Sequence, residues 1–119
     1  MLGHRRRMTA IYKILPEAMW RKAQQAGSFE GSEVDLRDGY IHFSTAEQAV
    51  ETAARHFAGQ HGLTLLEIES EALGDALKWE PSRGGALFPH LYGPLDTKLV
   101  RKANALPLGD DGRHVFPAL

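Results

Sequence analysis

Residues 40–48 and 88–94 hold most of the side chains in this chain that could do chemistry. In the first stretch His42 lies between Ile41 and Phe43. Strand alternation puts those two apolar residues on one face, and Tyr40, His42 and Ser44 on the other. Such a face is polar for a core. His42 either satisfies its ring inside the fold or stands at a pocket rim. At a rim it can donate to a ribose hydroxyl or a phosphate, or act as a general base. Ser44 and Glu47 have the spacing of a helix capping box, and Thr45 and Gln48 offer the same box one residue later. A strand feeding a helix start there would also present free N–H groups and a positive dipole end to an anion.

The second stretch reads Phe-Pro-His-Leu-Tyr-Gly-Pro. Two prolines and a glycine restrict its backbone, and His90 and Tyr92 share a side if it is extended. A rigid segment with an imidazole and a phenol suits the wall of a small-ligand pocket; the alternative is a buried turn with Tyr92 bonded to backbone. Glu80 follows Trp79; it is read either as an ordinary exposed glutamate or as a carboxyl beside an indole, whose pKa can be raised to suit acid–base work. His42, Glu80 and His90 are therefore the catalytic candidates. His56 and His61 are five apart, not the four of a helical zinc pair, and no metal site is expected. Dinucleotide-binding, P-loop and serine-hydrolase signatures are absent.

The elements that must position these residues follow from pattern. Residues 10–15 read as a strand, and Pro16 opens a helix over 17–26 that Gly27 ends. Residues 28–39 read as loop and 40–43 as a short strand, with a helix starting at Ser44. Ala46, Ala49, Val50, Ala53, Ala54 and Phe57 make one apolar stripe of that helix. Residues 63–69 read as a strand, and 75–80 as a short strand or packing under a loop. Residues 81–86 read as a turn and 88–92 as an extended segment. Strands are expected over 99–108 and 114–116, with a turn at 109–112. This order suggests an α+β fold with helices gathered on a small mixed sheet.

Composition narrows the function classes. The chain has 119 residues, 43% hydrophobic and 24% charged, which fits one globular domain. The absence of cysteine excludes thiol nucleophiles, disulfides and thiolate metal sites. Residues 1–7 hold three of the 14 basic residues, and without them the net charge falls from −1 to −4. They are expected to form a disordered arm ahead of a domain spanning 8–119, with Met8 a candidate start. An acidic body lacks the basic cluster that nucleic acid requires, so no nucleic-acid partner is expected. No apolar run is long enough to span a membrane. A cytoplasmic location is the expectation.

The first-strand residues Ile11-Tyr12-Lys13, the run from Asp38 to Gln48 and the run from Phe88 to Pro94 together resemble the bacterial family called domain of unknown function 952. That family is similar to an outlying branch of the ADP-ribosyltransferase fold, a compact split sheet with two main helices around a cleft for NAD. The Ile41–Ser44 run, with the later His61–Ile68 run, is also similar to RNA 2′-phosphotransferases. The resemblance implies a cleft for NAD or another nucleotide-like small molecule. Tyr12, His42, Ser44, Thr45, Gln48, His90 and Tyr92 would bind the ligand. The sequence departs from the pattern in lacking a late catalytic glutamate and in offering Lys13 where the phosphotransferases use arginines. Three readings follow: an NAD-dependent transferase or glycohydrolase, a non-catalytic binding or sensor domain, and a protein-interaction module.

Overall fold

The computed structural model describes residues 9–82 and 84–119. Residues 1–7, expected as a separate arm, lie outside the described residues. The chain runs β1 (Ala10–Pro16), α1 (Glu17–Ala26), β2 (Ser28–Phe29), α2 (Glu33–Asp38), β3 (Ile41–His42), β4 (Ser44–Thr45) and α3 (Ala46–His56). It continues through β5 (Leu63–Glu69), β6 (Leu77–Ser82), β7 (Ala86–Leu91), β8 (Leu95–Asp96) and β9 (Val100–Leu106). This is the expected α+β architecture with a split sheet. A four-stranded sheet has the order β4-β1-β5-β9, a three-stranded sheet β3-β7-β6, and β2 pairs with β8. The pairings among the described residues are antiparallel.

β1 is buried on both faces and divides the core in two. Ile11 and Leu15 point one way and meet Leu66 and Ile68 of β5, Trp20 and Ala23 of α1, and Ile41, Phe43 and Leu91 from the three-stranded sheet and its edge. Tyr12 and Ile14 point the other way and meet Leu63, Leu65, and Ala49 and Ala53 of α3. The four-stranded sheet is thus covered by α3 on one face and by α1 with the small sheet on the other. Burial of each large aliphatic side chain contributes about 1.5–3 kcal/mol.

Residues 28–39 are not a loop. They contain β2 and α2, and α2 is too short at six residues to show a hydrophobic period. Its start is set by a capping box: Asp35 N–H donates to Ser32 Oγ, and Ser32 N–H donates to Asp35 Oδ2 at 2.8 Å. Gly31 lies so close that a Cβ there would sit 2.9 Å from Asp35 Cβ. Gly39 ends α2 at φ 90°, a left-handed conformation that turns the chain directly into β3.

The expected strand over 40–43 narrows to β3, and the chain then changes sheet. Phe43 N–H donates to Pro89 O, extending the β3–β7 pairing, while Ser44 and Thr45 pair with Tyr12 and Ile11 of β1. Ser44 therefore leaves the face shared by Tyr40 and His42 and does not begin the helix. Its hydroxyl bonds Thr52 at 2.8 Å, and α3 starts at Ala46 with the Thr45–Gln48 box formed. Gln48 Nε2 also donates to Leu87 O, tying α3 to β7.

Later elements differ in their limits. Residues 70–76 form a 3₁₀ segment kinked at Gly74, and β6 then extends through Ser82 into the span read as a turn. It pairs with β7 from Leu77↔Leu91 to Ser82↔Ala86. No strand forms at 114–116: Gly109 N–H donates to Arg113 O in a tight turn, and a single bridge joins Leu108 to His114. No helix among the described residues is long and apolar enough to cross a membrane.

The cap assignment is tested by paired substitutions in urea unfolding. Thr45→Ala is expected to cost about 1 kcal/mol, and Glu47→Ala less than about 0.5 kcal/mol. Equal losses would place the helix start in the other register.

Candidate functional site

The register of the small sheet puts the chemistry on one face. His42 of β3 lies opposite His90 of β7, and His90 lies opposite Lys78 of β6. Directly paired residues project to the same side of a sheet, and so do residues two apart on one strand. Tyr40, Tyr92, Glu80 and Phe88 join that face by this rule, while Ile41, Leu91 and Leu77 turn to the core.

The rings interlock. Tyr40 stacks on His90 with centroids 4.1 Å apart and planes 26° from parallel. It also meets His42 at 4.6 Å and Tyr92 at 5.2 Å. The two imidazoles meet edge to face at 5.5 Å. His90 is 4% exposed beneath this cover, whereas Tyr92 is 44% exposed.

Carboxylates hold both imidazoles. His42 Nδ1 lies 2.7 Å from Asp35 Oδ1 and its Nε2 lies 3.0 Å from Asp38 Oδ2. Ionised carboxylates only accept, so both contacts are hydrogen bonds when both ring nitrogens carry protons. His90 Nδ1 lies 2.7 Å from Glu80 Oε1, and Tyr92 donates its hydroxyl to the same oxygen at 2.8 Å. With its proton on Nδ1, neutral His90 carries an acceptor at Nε2, the arrangement of a base oriented by an acid.

Asp35 is the anchor. It is 2% exposed and accepts from Lys13 Nζ at 2.9 and 3.1 Å, from Ser32 N–H, and from the His42 backbone N–H. Lys13 also donates to His42 O at 2.9 Å. Burial is the strongest single influence on Asp35 and opposes its charge. The His42 contact, the Lys13 charge and the Ser32 N–H together outweigh it and hold the carboxyl well below the usual carboxylate range.

Of the two readings of Glu80, the one with a raised pKa beside Trp79 is not what the structure has. Hydrogen bonds from His90 and then Tyr92 lower it. Adjacent strand residues point to opposite faces, so the indole does not pack over this carboxyl. The bond to Glu80 in turn raises the Tyr92 phenol. Asp38 is lowered chiefly by its contact with Arg37, at 3.1 Å.

Of the expected site residues, His42, Glu80, His90 and Tyr92 come together. Tyr12 lies in the other core half and donates to Glu67 at 3.4 Å. Ser44 bonds Thr52, and Thr45 and Gln48 spend their side chains on the cap and the β7 tether. Sequence reasoning missed Asp35, Asp38 and Lys78 as members. The Ser32-x-x-Asp35 spacing was the available signal for α2. Among the described residues no group of three or more His, Asp and Glu side chains is arranged to hold a metal ion. A depression of about 210 Å³ opens beside Tyr40, between α2 and Gly93–Pro94. The larger groove, about 550 Å³, lies between α1 and the ends of β5 and β9 and contains none of the expected site residues.

Removing Lys13 leaves Asp35 buried beside a half-exposed imidazole. Lys13→Met is expected to cost about 3–5 kcal/mol in urea unfolding. Because the folded carboxyl is depressed, Asp35 contributes stability above its unfolded value of about 3.9 and loses it as pH falls below that. In Asp35→Asn the decline of stability below about pH 4 is expected to flatten; an unchanged acid limb would remove Asp35 as its source.

Residues 14–103 match the family described as "Protein of unknown function (DUF952)". No curated protein matches the chain. Protein CC0527 from Caulobacter crescentus is similar in three solved structures. Its X-ray structure is 56% identical over 90% of this chain and 94% of that one, with a TM-score of 0.87. A double mutant is 54% identical with the same coverage and TM-score. The solution NMR structure is 57% identical over 89% and 91%, with a TM-score of 0.81. Match and likeness span both halves of the site, and the chain belongs to the DUF952 family.

Proposed function

We propose that the Tyr40–His42–His90–Tyr92 cluster binds a small ligand in which a positively charged planar ring adjoins a sugar with vicinal hydroxyls. The nicotinamide riboside half of NAD is such a ligand, and the resemblance to ADP-ribosyltransferases points the same way. The observation that carries the reading is the stack of Tyr40 on His90, ringed by His42 and Tyr92 and edged by Asp35, Asp38 and Glu80. Aromatic faces beside carboxylates favour a cationic ring. Rings edged by acceptors of this kind are what the nicotinamide end of NAD would need, which supports the reading.

In this reading Tyr92, the exposed ring, stacks on the ligand ring. His42 Nε2 donates to a sugar hydroxyl in place of Asp38, while Asp35 keeps the ring oriented. His90, held by Glu80, is the general base that takes a proton at Nε2 from the attacking hydroxyl or water, and the Glu80 carboxylate would stabilise positive charge developing on the sugar. Bound NAD would supply a glycosidic bond with a good leaving group. The second reading, binding without turnover, is favoured by one observation: both nitrogens of His42 and the Oε1 of Glu80 are already engaged.

Melting temperature in the presence of NAD, nicotinamide riboside and ADP-ribose tests the proposal, with chromatography for released nicotinamide. A ligand at 100 times its Kd adds about 2.7 kcal/mol, roughly 10 °C here. NAD and nicotinamide riboside are expected to stabilise the protein, and His42→Ala to abolish the rise while remaining folded. No rise with any of the three would sink the proposal. A rise without nicotinamide release selects the non-catalytic reading.

A further inference from the structure

β9 ends the four-stranded sheet, and among the described residues no strand pairs with its outer edge. Residues 101–105 are exposed along it. Alternate residues of such an edge turn their N–H and C=O outward, a row of donors and acceptors that another strand can use. The groove of about 550 Å³ lies beside this edge and away from the aromatic cluster. Ala103 and Ala105 line one side of it, and Trp20, Arg21 and Gln24 of α1 line the other. Ala103 pairs with Leu66, which packs in the core half that holds Trp20, so the two alanines share the α1 face of the sheet. The opposite face of the edge is cationic. Lys102 pairs with Glu67, and Arg101, at the register shift, reaches Glu69 at 3.1 Å. From Thr97 to Gly109 the chain carries Lys98, Arg101 and Lys102 and no acid. Glu67 and Glu69 lie one strand further in, roughly 5 Å from β9, and Glu69 is committed to Arg101. Among the described residues Lys102 forms no ion pair.

We propose that β9 is the docking edge for an extended acidic segment of another protein, which adds to the sheet as an antiparallel strand. Main-chain hydrogen bonds along β9 hold such a segment, and the side-chain spaces on its two faces select it. Its residues opposite Ala103 and Ala105 project into the groove, where the alanines leave room for branched apolar side chains against α1. Its residue opposite Lys102 projects to the cationic face and is an acid, worth a fraction of a kcal/mol to about 1 kcal/mol as a cross-strand pair. Read from its own N-terminus, the segment is therefore apolar, any residue, apolar, acid. A second copy of this chain fits worse. The register that pairs all of 101–105 turns about Ala103 and sets the two copies of Lys102 on one face at diagonal positions, about 7–8 Å apart. The cations that repel a like strand attract an acidic one.

The probe is the blocked peptide acetyl-Ser-Thr-Val-Thr-Val-Glu-Glu-Ser-amide, with a control peptide carrying lysine at both glutamates. Each is titrated into the isotope-labelled full chain and followed by the backbone amide signals. The acidic peptide is expected to shift the signals of residues 101–105 and to bind about tenfold more tightly than the lysine peptide. Lys102→Glu should reverse that preference, and Lys102→Gln should reduce it. Ala105→Trp, which fills the groove, should weaken the acidic peptide about tenfold or more. Both positions are exposed, and urea unfolding checks that each variant is folded. Equal affinity for the two peptides, or no shift at 101–105 with the acidic one, overturns the proposal. Sedimentation of the free chain as a dimer with these amides protected from exchange overturns it too, giving the edge to a second copy.

Discussion

The buried ion pair between Lys13 and Asp35 is the contact on which the rest of the site depends. Taking a carboxylate and an ammonium out of water costs several kcal/mol each, and their attraction repays it only when the remaining donors and acceptors are satisfied. Here they are. Asp35 receives Lys13, the Ser32 N–H, the His42 N–H and the His42 ring, while Lys13 spends a further proton on His42 O. β1, α2 and β3 are thereby locked together at one point inside the core. An apolar pair of similar volume would fill the same space, but it would not orient an imidazole. The ion pair makes physical sense as a positioning device first and a stabilising one second.

A second constraint fixes what β3 can show. A strand of two residues has little to hold its register, and a slip of one residue would bury His42 and expose Ile41. The register is pinned from outside the strand. Asp35 grips His42 from below, Phe43 N–H reaches Pro89 O, and Tyr92 N–H reaches Ala76 O beyond the end of β7. Gln48, a helix-cap residue, holds Leu87 O from a different layer. Ile41 and Leu91 are anchored in the core on the opposite face. The capping chemistry and the site chemistry are mechanically joined, although few of the capping residues face the cluster.

How much of this was legible in the sequence depended on range. β5 and α1 were readable almost to the residue, because long periodic runs declare themselves locally. His42 and His90 were readable because a histidine between apolar neighbours, and a proline-bounded imidazole–phenol pair, are odd locally. The family resemblance joined the two stretches, which no local rule could do. Asp35 was not legible: its role is created by Lys13 and His42, 22 and seven residues away. Lys78 was hidden in the same way, since only the β6–β7 register puts it beside His90. The reading of Glu80 with a raised pKa did not hold, because it required adjacency to Trp79 in sequence to be contact in space, and alternation sends the two to opposite faces.

The two carboxylates on His42 divide its work. Asp35 is buried, held by four other donor contacts, and cannot leave without breaking the core. Asp38 is 31% exposed, sits at the end of a short helix and is shared with Arg37. One nitrogen of the ring is therefore fixed and the other is held by an exchangeable surface partner. A ligand hydroxyl that takes the place of Asp38 gains a donor whose direction is already set, so little orientational freedom is lost on binding. The displaced Asp38 keeps Arg37 as a partner, which lowers the cost of the exchange. In the proposed ligand reading, orientation by a permanent acid and occupancy by a replaceable one would let His42 serve as a binding group although both its ring nitrogens are engaged.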